Sequence, residues 1–263
     1  MIELSHQGGI AVVKMVHGKA NALDVEFCEA LAAQFEALRG SDTKAVILTG
    51  QGPMFSAGVN LIRLSEGGAA YVRRFLPALH RLYDTVFFFP KPVVAAVNGH
   101  AIAGGCVLEC CADKRIGMAG GGRIGVTELL VGVPFPPLAF EIMRFASPPR
   151  YLADGMFTGA TFTPDVAQAR GLVDELAEGP AALLDRSVAA AEALAALSPP
   201  TFALTKRQLR QPVTDAMERH GRRVAAAAEE IWTAPKTLDY IRDYVARTFK
   251  RASSAIQGPP PSA

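Results

Sequence analysis

KPVVAAVNGHAIAGGC, residues 91–106, places a strand, a turn and a helix start in one short stretch. PVVAAV (92–97) is too short and too β-branched for a helix and reads as a buried strand. Asn98-Gly99 turns the chain, and residues 104–112 follow as a small-residue helix. Upstream, GIAVVKMV (9–16) and KAVILT (44–49) are β-branched runs bounded by turn formers, which predicts two more strands. Between them Cys28, Leu31, Phe35 and Leu38 recur at three- and four-residue steps. That spacing predicts a helix over 24–39, capped by Asp24 and closed at Arg39-Gly40. A further helix covers 69–88 and stops at Pro90; KRIGMA (114–119) is another strand. Strands and helices that alternate in this way to residue 130 make an α/β core. Beyond Pro164 residues 179–197, 199–210, 212–233 and 236–250 look helical, and only Gly171 to Leu176 looks extended.

A chain of 263 residues, half of them hydrophobic and a fifth charged, has the proportions of one or two globular domains, which excludes a mainly disordered or collagen-like protein. The net charge of +2 gives no overall reason to expect nucleic acid or an anionic membrane as a partner. Positive charge gathers after residue 200, where it reads as solvated helix faces or as a surface that meets anions. The four cysteines lack the paired spacing of zinc sites and the five histidines show no ligand spacing, so no metal is expected. Reduced, buried thiols fit a cytoplasmic protein. The opening MIELSHQGG lacks the features of a secretory signal. Val93 to Ala112 is the most apolar stretch, but Asn98, His100, Glu109 and its glycines make it buried core, not a membrane span. The tail QGPPPSA is expected to be disordered.

Two glycine-rich turns follow buried strands: Phe55 to Asn60 (FSAGVN) and Asn98 to Gly105 (NGHAIAGG). Glycine lets a ligand approach the backbone, and a turn that opens a helix leaves amide donors unpaired. One donor from each turn would form a hole for a developing oxyanion; the alternative is simple chain reversal. A G-x-G-x-x-G at Gly120, Gly122 and Gly125 lacks the long helix and the distal acid of a dinucleotide site. No phosphate-binding loop of the G-x-x-x-x-G-K-[ST] kind and no G-x-S-x-G elbow is present. Glu128 stands between Thr127, a candidate cap, and Leu129-Leu130-Val131. Such a glutamate either complements a helix dipole or, held among apolar neighbours, gains the raised pKa that suits a general base.

Together these residues resemble the crotonase family, the enoyl-CoA hydratase and isomerase superfamily, over nearly all of residues 1–250. Lys19-Ala20-Asn21-Ala22-Leu23 looks like the family's early CoA-contacting segment, and FSAGVNL (55–61) is similar to its F-x-A-G-x-D-L loop. KPVVAAVNGHAIAGGC is similar to its most recognisable stretch, and RIGVTELLVGVPFP (123–136) to the segment that holds its glutamate. The resemblance implies a crotonase-like spiral of repeated ββα units over 1–197, a C-terminal helical trimerisation region over 198–256 and the tail over 257–263. It implies an acyl-CoA substrate, no separate cofactor, since coenzyme A enters as part of the thioester, and a homotrimer or dimer of trimers. Val59 and Gly104 N–H would grip the thioester carbonyl and Glu128 would be the family carboxylate. Lys19, Ala20, Ala57, Gly58, Asn60, Leu61, Gly105 and Pro134 would contact substrate, and Phe249 and Lys250 are further candidates for the CoA phosphates.

The departures narrow the expected chemistry. Hydratases of the family carry a second glutamate in a G-G-C-E pattern, where this chain has Gly104-Gly105-Cys106-Val107. Glu109, two helical positions further, points to the opposite face and is expected to pair with a cation. The aspartate of the dienoyl isomerases is replaced by Pro136, and Asn60 replaces the loop aspartate. Val133-Pro134-Phe135-Pro136-Pro137 looks more like the mitochondrial-type Δ3,Δ2-enoyl-CoA isomerases. One carboxylate suffices to carry a proton from C2 to C4, so a single-base isomerase is expected. The alternatives are an enoyl-CoA hydratase and a non-catalytic acyl-CoA binding protein. Phe87 to Phe89 line either the acyl tunnel or the core, with core preferred.

Overall fold

The computed structural model describes residues 1–256, with side chains described to Thr248. The tail and the side chains of Phe249 and Lys250 lie outside the described residues. Two sheets organise the chain. In the larger, β1 (Ile2–Gln7) pairs antiparallel with β2 (Ile10–Met15), and β3 (Ala45–Thr49), β5 (Val93–Val97), β7 (Lys114–Met118) and β10 (Glu175–Ala177) continue in parallel. The smaller has the order β4 (Met54–Ser56), β6 (His100–Ile102), β8 (Ile124–Gly125) and β9 (Thr161–Phe162), with only β9 antiparallel. After the β1–β2 hairpin, each of three turns of the spiral adds one strand to each sheet and then a helix. β3 and β4 lead to α2 (Leu61–Phe87); β5 and β6 lead to α3 (Gly104–Cys110). β7 and β8 lead to a 3-10 turn at Glu128–Val131 and then α4 (Pro137–Ala146). This is the spiral of ββα units that the resemblance implies.

The central strands are apolar on both faces because both faces are covered. Val46 and Leu48 of β3, with Ala95 and Val97 of β5, join the main core under α1 (Val25–Arg39), α2 and α3. Their alternates Ala45, Ile47, Val94 and Ala96 pack against Leu183, Val188 and Ala191 of α7 (Gly179–Ala195). Phe87 and Phe89 are fully buried in the main core and Phe88 packs against it. All four cysteines are free and buried.

Five elements differ from the sequence expectation. β1 shows no buried face, only Ile2 being half-buried, so it carries no apolar alternation to detect. α2 starts at Leu61, not at 69: the Asn60 side chain accepts from Arg63 N at 3.2 Å, and the helix is interrupted at Gly68, where φ is 58°. α4 and α5 (Pro149–Thr158) lie between residue 130 and Pro164, where no element is predicted, and each opens on a proline, which suits a first helical turn. Finally, α8 (Pro199–Ala216) runs through Pro212 into a one-turn π segment, Met217–Gly221, before α9 (Arg222–Thr233) and α10 (Pro235–Ile256).

These last helices fold onto the core of their own chain. Trp232 and Ile241 lie in the main core, and Trp232 Nε1 donates to the Pro134 carbonyl at 2.9 Å. At the foot of α8, Asp113 accepts from Lys206 Nζ (2.7 Å) and Arg210 Nη2 (2.8 Å). Burial pushes the Lys206 ammonium down to about 8, partly opposed by Asp113. Among the described residues no single helix is long and apolar enough to cross a membrane.

Asn98 fastens the end of β5 to the β3–β4 turn. Its Oδ1 accepts from Gly50 N at 2.8 Å, and its Nδ2 donates to the Gly52 and Met54 carbonyls at 2.8 and 3.3 Å. Asn98→Ala strips partners from these backbone groups and is expected to lower stability by about 1–3 kcal/mol, read from urea unfolding. An unchanged midpoint would show that water replaces the side chain there.

Candidate active site

The segment before α1 is zipped onto the loop after β4. Buried Asn21, in the left-handed region at φ 45°, accepts from His17 N at 2.7 Å and donates to the Phe55 carbonyl at 3.1 Å. Ser56 Oγ donates to the Asn21 carbonyl at 2.7 Å, and Ala57 N to the Ala20 carbonyl at 2.9 Å. Leu23 N then bonds to Gly58 O at 2.7 Å and Asn60 N to Leu23 O at 2.8 Å. Residues 58 and 60 therefore face Leu23, and in extended pairing the intervening Val59 N–H points the other way. It has no acceptor among the described residues.

The second donor arises where β6 meets α3. Ala103 is held at φ 50°, and its N–H bonds to Gly125 O at 2.8 Å. Gly104, the first helical residue, keeps its N–H without an acceptor among the described residues. The two loops touch: a Cβ on Gly58 would stand 2.9 Å from Gly104 N and 2.6 Å from Ile102 O. Gly104 is equally confined, because a Cβ there would meet Tyr83 Oη at 2.8 Å, and Gly105 packs on the Ser56 carbonyl. Only glycine allows this approach.

Glu128 heads the 3-10 turn three residues past β8, the strand whose Gly125 pairs with Ile102 of β6. Thr127 precedes it but makes no side-chain cap, contrary to expectation. Glu128 is 6 % exposed, and its Oε2 has no hydrogen-bond partner among the described residues. Burial raises its pKa to about 7, against smaller lowering by backbone N–H groups of Glu128 and Thr127. Tyr83 of α2 braces the second amide loop. Its hydroxyl donates to Gly104 O at 2.9 Å, and the Glu128 charge helps push the phenol upward, after the larger effects of burial, Cys111 and Cys28. Sequence reasoning missed Tyr83, because an aromatic at helical spacing in α2 looks like any core residue.

The remaining predicted residues distribute around these groups. Ala57, Asn60 and Leu61 are half-buried beside Gly58, and Ala20 is half-buried where it receives Ala57 N. Lys19 is exposed at the rim. Pro134 follows Val133, whose N–H closes the Glu128 turn at 3.2 Å. Val107, where the second family glutamate would stand, is fully buried. Glu109 corrects the expectation of a cation partner. It is fully buried, and among the described residues its one hydrogen bond comes from Cys106 Sγ at 3.5 Å. The nearby Arg115 binds Asp174 instead, at 2.6 Å, so burial drives the Glu109 pKa well up.

Comparison with known proteins identifies the family. Residues 5–234 match the model of the enoyl-CoA hydratase/isomerase family. A putative enoyl-CoA hydratase of Thermus thermophilus is 35 % identical over 77 % of this chain and 81 % of its own length. The mitochondrial enoyl-CoA delta isomerase 1 of Rattus norvegicus is 29 % identical over 67 % of this chain and 62 % of its own. Among solved structures, a probable enoyl-CoA hydratase of Mycobacterium tuberculosis superposes with a TM-score of 0.80 at 31 % identity, over 86 % of this chain and 95 % of that one. Human mitochondrial delta3-delta2-enoyl-CoA isomerase shares the fold with a TM-score of 0.89 at 22 % identity, over 95 % of this chain and 98 % of that one. The chain is thus an enzyme of the enoyl-CoA hydratase/isomerase family, within the crotonase superfamily.

Proposed function

We propose that the enzyme moves a C3 double bond to C2 of an enoyl-CoA. The observation that carries this reading is the buried Glu128, its pKa raised to about 7, on the segment after the strand that pairs with β6, while two amide donors without acceptors among the described residues stand after β4 and β6 and apolar Val107 replaces a second acid. Glu128 takes a proton from C2, and the electron pair moves into the thioester to form a dienolate. Val59 and Gly104 N–H stabilise the oxygen on which charge develops. The protonated Glu128 then delivers the same proton to C4, so the carboxylate is regenerated and no water is consumed. Lys19, Ala20, Ala57, Gly58, Asn60, Leu61, Gly105 and Pro134 form the substrate-contacting set in this reading. The reaction needs no cofactor beyond the coenzyme A carried by the substrate.

A hydratase adding water across 2-enoyl-CoA is the second reading, favoured by the name of the Thermus relative. Separate incubations with 3-enoyl-CoA and 2-enoyl-CoA distinguish the two. Isomerase activity yields the 2-enoyl product from the first; predominant conversion of the second into 3-hydroxyacyl-CoA sinks the isomerase assignment. The base must be ionised in the free enzyme, so kcat/KM is expected to fall about tenfold per pH unit below pH 7 and to level off above it. A flat profile down to pH 5 would exclude Glu128 as that base. The same reading carries a homotrimer or dimer of trimers, for which exposed Leu129, Leu130 and Phe157 offer apolar surface. Sedimentation equilibrium would test it.

A further inference from the structure

We propose that Cys106, Glu109 and Cys110 of α3 bind one thiophilic divalent cation of the zinc or cadmium class, at a structural site separate from the reaction. Positions i, i+3 and i+4 share one helix face. The two sulfurs and a carboxylate oxygen all lie within 4.8 Å of one another. A tetrahedral zinc with Zn–S bonds of ~2.3 Å holds its ligand atoms about 3.5–4 Å apart, so closure needs only small side-chain rotations. Glu109 is fully buried, with Oε1 3.5 Å from Cys106 Sγ and Oε2 without a hydrogen-bond partner among the described residues. An orphaned carboxylate oxygen beside two thiols is a cost that a cation removes.

The charge balance is tolerable. Binding releases the two thiol protons and any proton on the carboxyl, and three anionic ligands around a divalent ion leave a net charge of about −1, less than the −2 of a four-cysteine zinc site. Arg115 Nη1, 3.9 Å from Cys110 Sγ, lies beside that charge. Cys110 also lines a cleft of about 310 Å³, which gives a fourth, water ligand a way in. The sequence expectation of no metal rested on the spacing of paired cysteines and of histidines; a mixed Cys-x-x-Glu-Cys set falls outside it.

The test is metal content and X-ray absorption of the full chain, expressed with zinc, purified under reducing conditions without chelators and desalted. The expected result is about one zinc per chain with two sulfur neighbours at ~2.3 Å and oxygen completing the shell. Glu109→Gln and Cys110→Ser are each expected to weaken zinc at least tenfold, measured by competition with a chromophoric chelator, while Cys111→Ser leaves it unchanged. Folded wild type without zinc, a shell of nitrogen and oxygen alone, or zinc retained equally by Glu109→Gln and Cys110→Ser would each overturn the site. Glu109→Gln preserves shape, so a folding failure of Cys110→Ser does not remove the test.

Discussion

Glu128→Gln is expected to lower kcat for double-bond migration by about 10³-fold while the protein becomes more stable above pH 7. The loss of rate follows because an amide cannot accept the C2 proton, and the structure supplies no second acid at position 107. The gain in stability follows from the same burial. The folded carboxyl titrates near 7 against an ordinary value of 4.5, so between those values the native state holds a proton that the unfolded state has lost. Stability from this group is therefore complete below about pH 4.5 and is lost as pH rises through 7. Neutral glutamine escapes that loss, worth up to ~3 kcal/mol at pH 8 and nothing near pH 4. Kinetics with 3-enoyl-CoA and thermal melts at both pH values check the two halves. Full activity, or a melt that falls equally at both pH values, would remove Glu128 from the role of buried base.

Gly58→Ala is expected to reduce kcat by about 10²–10³-fold, the cost of disturbing an oxyanion donor. The added methyl has nowhere to go: Ile102 O, Ala103 Cβ and Gly104 N stand at 2.6, 2.9 and 2.9 Å, two of them main-chain atoms that do not swing aside. Gly58 also sits at φ +78°, where alanine pays about 1–2 kcal/mol. The two loops must part, which moves Gly104 N–H away from the loop that carries Val59. A lower melting temperature with kcat unchanged would mean that these amides do not hold the thioester oxygen. Asn60→Ala offers a contrast. It removes a helix cap at the same loop, with an expected stability loss of about 1 kcal/mol, without pushing the loops apart.

The central strands of the large sheet were legible because they are locally unambiguous. VVAAV and AVILT are short, branched and apolar on both faces, and Asp24 does cap α1, its side chain accepting from Phe27 N at 2.9 Å. α4 and α5 were not legible, since a proline pair reads equally as a stop and as a first turn, and only packing chooses between them. Gly68 gave the opposite error, hiding the first turns of a helix that resumes beyond it.

By itself the sequence determined the α/β class, the two glycine turns and the identity of the lone candidate base, because each depends on residue type and short spacing. Tertiary structure alone decided that the Tyr83 hydroxyl braces the Gly104 carbonyl and that Arg115 pairs with Asp174 and not with Glu109. Both depend on which helices meet across the core, and burial, which sets whether a carboxyl keeps its charge, is a property of those distant neighbours.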